Sequence, residues 1–429
     1  MKGRIKLRVR YNPDRLIDLI CALSIIMIMP FFFSINSFIN YGIRCGLGLC
    51  FLTCVAMIDS ALFIRLTAVL LSGFIYTILY MYNVRLAYGG SQASFITRSM
   101  LCWLYMTFAV YYAEKRKNTD NHMLGMVFTF IMLITIATSI IGIRRYSYLV
   151  SGYETIVRTL GNGGEFSDSA RKLINRSNVA SWQLAYGMAL SSSAYMLAYR
   201  KYRNKLYLVA MALIVYFLIE AQITFALIFS VLPILHFFLK NRKNSNQIIV
   251  YLVGLLLCVL IYFNLSNILY ILYEFMMSAD MTMLGIRFYQ LYEATKIGAL
   301  VGTGAGRIDY YMMSLKQFIN HPIIGYKLKD YSELYTKLGM HSQVFDTLGG
   351  TVIIGFMLYF FPFAYVIRSV VHSFRDVIDR SFINLSILIL LVFMFTNPTT
   401  FTCEGYMTAL CLPLWLMNEG KSLEMKGSN

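Results

Sequence analysis

A polytopic bundle of transmembrane α-helices is the fold class that three observations predict. The chain has 429 residues, of which 58% are hydrophobic and only 14% charged, against roughly a quarter charged in soluble domains. Its mean hydropathy is +0.61. Its apolar residues form continuous runs of about twenty, the length of a membrane-crossing helix, whereas a transmembrane barrel needs alternating segments of about ten.

The runs lie near 16–36, 41–59, 62–82, 95–113, 123–143, 178–199, 206–221, 223–239, 247–266, 343–367, 381–397 and 401–417. They predict an all-α polytopic integral membrane protein with about twelve spans, one transmembrane domain over residues 1–429. Lys2, Arg4, Lys6, Arg8, Arg10 and Arg15 precede the first run. That run is too long for a signal-peptide core and no small-x-small cleavage site follows, so it reads as an uncleaved span with a cytoplasmic N-terminus. The run over 206–239 is broken only at Glu220-Ala221-Gln222. The basic clusters Arg200 to Lys205 and Lys240 to Lys243 flank it. Both belong in the cytoplasm, so the run goes out and returns, with Glu220 near the outer turn. Glu114 to Lys117, Arg368 to Arg380 and the C-terminal tail obey the same alternation. The net charge of +17 is therefore read as mostly positive-inside bias, not as a nucleic-acid surface.

Two long loops then face outward, over 144–177 and 267–342. The first has a positive excess that includes Arg144, Arg145, Arg158, Arg171, Lys172 and Arg176. The second is the large late loop, nearly charge-balanced and rich in tyrosine. Within it Ile308, Met312, Leu315, Phe318 and Ile319 recur at helical spacing, so Arg307 to Asn320 reads as an amphipathic helix. Arg307, Tyr311 and Ser314 share a neighbouring face at i, i+4 and i+7. Such a helix fits the membrane interface, with Arg307 at headgroup depth. His321 before Pro322 ends it. A second helix is expected over Leu284 to Ile297, carrying Arg287. Gly302 to Gly306 lacks the strand and spacing of a nucleotide fingerprint and reads as a hinge beside Arg307. The eight cysteines all lie in or at the ends of apolar runs and suggest neither a disulfide nor a metal site. No cofactor is expected.

From Arg307 the order of features is an arginine-led helix, then His321-Pro322-Ile323-Ile324-Gly325, then a polar loop. His341-Ser342-Gln343 follows at the outer end of a span, with Gly349 and Gly355 beyond. This order resembles the O-antigen polymerase and ligase superfamily, whose members polymerise or transfer lipid-linked glycans outside the bacterial membrane. The chain departs from the family pattern at Tyr326, where a second glycine is usual, and at Ser342, where asparagine is frequent. The resemblance implies a polysaccharide repeat-unit polymerase in the bacterial cytoplasmic membrane. Such an enzyme passes glycan from a polyprenyl diphosphate to the non-reducing end of another lipid-linked repeat, in O-antigen, capsule or exopolysaccharide synthesis. Its partners would be lipid-linked oligosaccharides, membrane lipid, and the flippase and chain-length regulator of the same pathway. A ligase of the same superfamily is the nearest alternative. A transporter or lipid flippase also fits the span count, although no two matching halves are visible.

Chemically, Arg307 and His341 are the expected catalytic pair. A guanidinium binds phosphate oxygens bidentately and stays charged. An imidazole titrates near neutral pH and can take a proton from an acceptor hydroxyl. Arg287, Arg158, Arg171, Arg176, His321 and Asp346 are the expected substrate-binding residues. Asp346 would orient His341 only if the helix start between them is irregular. Glu220 and Glu404 are costly carboxylates at span ends.

Overall fold

The computed structural model describes residues 13–27, 37–84, 86, 92–116, 121–147, 156–157, 179–240, 264–297, 303–323, 325–397 and 403–417. The described residues form helices, turns and irregular connections, with no strand among them. In chain order the helices are α1 (Pro13–Ile26), α2 (Ser37–Ile58), α3 (Ser60–Asn83), α4 (Gln92–Glu114), α5 (His122–Tyr146), α6 (Trp182–Tyr202), α7 (Leu206–Glu220), α8 (Thr224–Lys240), α9 (Leu265–Ser278), α10 (Thr282–Ile297), α11 (Thr303–Asn320), α12 (Tyr331–Lys337), α13 (Gln343–Ser373) and α14 (Val377–Thr396). A final rod, α15 (Cys403–Tyr406) and α16 (Leu412–Met417), is joined by a π turn over Met407–Cys411. Each apolar run read from the sequence overlaps one of these helices, except 247–266, which lies almost wholly outside the described residues.

Among the described residues, four helices are long and apolar enough to cross a membrane: α3, α5, α13 and α14. The outer surface is apolar. Leu49, Met57, Ile64, Phe130, Ile141 and Phe361 are each more than 60% exposed. A soluble monomer rarely carries so much exposed apolar surface, so the chain is membrane-embedded. The enclosed helices are the less apolar ones. Leu101 to Ala113 of α4 and Leu184 to Ala198 of α6 are buried almost without interruption. Helices that touch only other helices favour small and polar residues for close packing. Ser191, Ser192 and Ser193 of α6, each fully buried, are an example.

Helix ends gather at two rims. At one, Arg116 pairs with Asp14 and Asp18, Arg65 with Glu114, Lys115 with Asp59, and Arg200 with Asp376 and Asp379. Asp59 also caps α3 by accepting from the Leu62 N–H at 2.9 Å. Of the described ion pairs, only Arg144 with Glu220 lies at the opposite rim. Arg144 belongs to the last turn of α5, not to the loop the sequence assigned it to, because the helix runs on to Tyr146. That pair also accounts for the Glu220 carboxylate. At the same rim Gln222 of the α7–α8 turn accepts from the Met283 N–H at 2.9 Å, tying down the α9–α10 hairpin.

The longest helix, α13, is two helical pieces meeting at Val352, whose backbone has φ 55° and ψ −160°. A β-branched residue there is strained by about 1–3 kcal/mol. The surroundings hold the break in place: Asn83 Nδ2 donates to the Gly350 carbonyl at 2.8 Å, and the Asn83 carbonyl accepts from the Leu328 N–H at 2.9 Å.

Candidate functional site

The amphipathic helix forms as its periodicity predicts, but one turn longer. It starts at Thr303 and takes in Gly304 to Gly306, so the expected hinge is the first turn of the helix. Its polarity is inside-out. Ser314 and Gln317 are buried, Arg307 and Tyr311 half-buried, while Ile308, Met312 and Ile319 are exposed. The face with Arg307, Tyr311 and Ser314 packs on the start of α13. The apolar face points away from the protein.

Packing is close because two glycines permit it. A side chain at Gly339 would put its Cβ 2.2 Å from the Tyr310 carbonyl oxygen. Gly325 has φ +82°, and a Cβ there would lie 2.9 Å from Asn83 Nδ2 and from the Gly350 carbonyl. Gly339→Ala is therefore expected to push α11 off the loop. Overpacking of this kind costs about 1–3 kcal/mol, read as a lower thermal unfolding midpoint in detergent.

Below that contact lies a buried polar clamp. Ser314 Oγ donates to Asp346 Oδ1 at 2.7 Å and accepts from the Gly339 N–H at 3.0 Å. Asp346 also accepts from the Met340 N–H at 3.1 Å and the Ser342 N–H at 2.9 Å. Ser342 caps α13 regularly, its Oγ accepting from the Phe345 N–H at 3.2 Å. Asp346, only 3% exposed, thus holds the loop and α11 to the helix start. The irregular start that would let it orient His341 does not occur, and the carboxylate is engaged by these protein donors. Beside the clamp Gln343 Nε2 donates to Tyr76 Oη at 2.9 Å and to Thr347 Oγ1 at 3.1 Å.

Above the clamp, Arg307 lies near enough to His341 for its charge to act on the imidazole. Arg307 donates to the Thr396 carbonyl at the end of α14, at 3.2 Å. The His341 ring lies against Tyr310, with centroids 4.6 Å apart, and Tyr311 stacks on Phe345 at 5.2 Å. Partial burial, then the positive charge of Arg307, holds the His341 imidazole below its ordinary pKa of 6.5. The imidazole is therefore mostly neutral near pH 7 and free to accept a proton. Chemically, a guanidinium can bind an anion and a neutral imidazole can accept a proton, and the rings of Tyr310, Tyr311 and Phe345 lie beside them.

The other expected ligands are not part of this cluster. Arg287 sits on the α9–α10 hairpin, donating to Gln290 at 2.9 Å. His321 ends α11, about 21 Å along the helix from Arg307 at 1.5 Å per residue. Its ring lies 5.4 Å from that of Tyr326. Arg158, Arg171 and Arg176 lie outside the described residues. Sequence reasoning missed Asn83 and Tyr76, and named Gln343 only as part of the motif after His341. Ser314 was visible as the third member of the Arg307 face, but nothing in the sequence paired it with Asp346.

The chain matches no family model, no curated protein and no solved structure.

Proposed function

We propose that the chain is a glycosyltransferase of the O-antigen polymerase type, with about twelve spans in the bacterial cytoplasmic membrane and both termini cytoplasmic. The rim that holds the Arg116, Arg65, Lys115 and Arg200 ion pairs, with Lys201, Arg203, Lys205 and Lys240 at the helix ends beside it, is the basic rim and would face the cytoplasm, and the Arg307–His341 rim the outside. It would join lipid-linked repeat units, using no nucleotide sugar. The observation that supports this reading is the closeness of Arg307 to His341, enough for one charge to act on the other, across an intervening helix and loop.

In this reaction an acceptor hydroxyl of one lipid-linked repeat attacks the anomeric carbon of the donor glycan. The bond from that carbon to the diphosphate oxygen breaks. His341 takes the hydroxyl proton as the new bond forms. Arg307 meets the negative charge that grows on the departing polyprenyl diphosphate, so it stabilises the transition state more than the bound donor. The aromatic wall of Tyr310, Tyr311 and Phe345 suits sugar rings.

A second feature fits a lipid-linked donor. A wholly apolar groove of about 360 Å³ runs along the flank of α13, lined by Phe318, Leu348, Ile353, Phe356 and Phe361 among others. It starts beside α11 and descends toward the middle of α13, as a prenyl chain entering from the bilayer would. Ser342 also fits the family pattern in physical terms. It stands where asparagine is frequent, and both residues are strong helix caps.

The test is lengthening of a synthetic polyprenyl-diphosphate repeat by the purified chain in liposomes, with no nucleotide sugar. A ladder of products supports the polymerase, and a single block transfer to a different acceptor supports the ligase. Solute counterflow with no glycan product would overturn both. The pH profile should separate the roles further. With a depressed imidazole, the acid limb of the rate lies below about pH 6.5. In Arg307→Gln the residual activity should lose its acid limb at higher pH than wild type, because the neighbouring charge is gone. An acid limb that stays in place in that variant would remove His341 as the base.

A further inference from the structure

Helix α13 carries a second site at its other end. An open, mainly polar cavity of about 590 Å³ lies at the basic rim, between the end of α4 and the last turns of α13. It is lined by Glu114 and Lys115 from α4, and by Tyr365, Arg368, Ser369 and His372 from α13, among others. Arg368 lies about 24 Å beyond the break at Val352 along the second piece of α13, at 1.5 Å per residue, while Asp346 lies on the first piece. The cavity is thus remote from the Arg307–His341 cluster.

The charges in the cavity do not cancel. Glu114 is already engaged: Oε1 accepts from Tyr365 Oη at 2.9 Å and Ser369 Oγ at 3.2 Å, and Oε2 pairs with Arg65 at 2.9 Å. Lys115 is paired with Asp59. Arg368 and His372 stand one helical turn apart on one face. Neither has an acidic partner among the described residues. A guanidinium and an imidazole side by side in an open polar cavity form a fork for phosphate oxygens. The surface leading away from them toward the middle of α13 is apolar. Phe361, seven residues before Arg368 and on the same stripe, is 68% exposed, and Met357 one turn further is 44% exposed. A headgroup in the cavity would leave its acyl chains along that stripe.

The geometry points to a phosphate-binding site in this cavity, formed by Arg368 and His372, that takes the phosphodiester of an anionic phospholipid or a free phosphate. Its polar residues stand apart from the proposed transferase site, its apolar stripe shares Phe361 and Met357 with the groove along α13, and it would survive the failure of that reading.

The test follows carbethoxylation of His372 by diethylpyrocarbonate, read by peptide mass spectrometry. The full chain is held in a maltoside detergent, which carries no phosphate. Phosphatidylglycerol added at about ten times its dissociation constant should slow labelling of His372 about tenfold and leave His236 unaffected. Arg368→Gln should abolish the protection and Arg368→Lys should keep part of it. Protection by inorganic phosphate alone assigns the site to the free anion, and protection by the lipid alone assigns it to a headgroup. The proposal fails if neither slows labelling, if phosphatidylcholine protects equally well, or if Arg368→Gln remains fully protected.

Discussion

Arg307→Ala is expected to lower glycan transfer by about 10²–10³-fold, the loss found when one donor to a transition-state anion is removed. The side chain suits that role because it is half-buried, tethered by the Thr396 carbonyl and hydrogen-bonded to the Tyr311 side chain. That leaves the rest of its hydrogen-bonding fork for a ligand. The loss should fall mainly on kcat, since the charge it meets grows as the diphosphate leaves. Arg307→Lys keeps the charge but not the planar fork, so it should recover only part of the rate. Because Arg307 supports little else, the variant should unfold in detergent near the wild-type temperature. A folded Arg307→Ala protein with a wild-type rate would remove Arg307 from the chemistry.

Asp346→Ala should act on the fold instead. Three donors converge on that carboxylate: Ser314 Oγ and the N–H groups of Met340 and Ser342. A buried donor left without an acceptor costs roughly 1–3 kcal/mol, so their joint loss should cost on the order of 3–5 kcal/mol, within the range for broken buried networks. Thermal unfolding in detergent should show a large drop, and α11 should come away from α13. Asp346→Asn retains one acceptor oxygen and should lose less. Ser314→Ala should lose less again. Combined with Asp346→Ala it should add little further loss, since both remove the same contact. A stability of Asp346→Ala equal to wild type would show that the clamp does not hold the site.

Much of the helix order was legible in the sequence, because apolar runs of span length bounded by basic clusters leave few arrangements. The amphipathic helix was legible too, but its burial was not. Periodicity separated the Ile308 and Met312 face from the Arg307, Tyr311 and Ser314 face. Only the structure says that the polar face turns inward onto α13. The start of α11 was misplaced because the glycines at 304 and 306 disfavour a helix, and the helix tolerates them in its first turn. Asn83 and Tyr76 carried no signal, since their partners at Gly350 and Thr347 are more than 260 residues away in sequence. Asp346 was noticed for the right reason, a carboxylate in an apolar helix. Its work is to satisfy backbone donors, and a five-residue spacing from His341 could not reveal that. The break at Val352 has no counterpart in the sequence beyond the cluster Gly349, Gly350 and Gly355.

The central claim is that Arg307 and His341 meet their substrate on the extracytoplasmic side of the membrane. Exposed positions at each rim can be labelled in intact cells with a membrane-impermeant maleimide, in a background cleared of native cysteines. The account predicts that Lys316→Cys on α11 reacts in intact cells, while Arg375→Cys, at the other end of α13, reacts only after the membrane is opened. The reverse pattern would place the site in the cytosol and contradict the account.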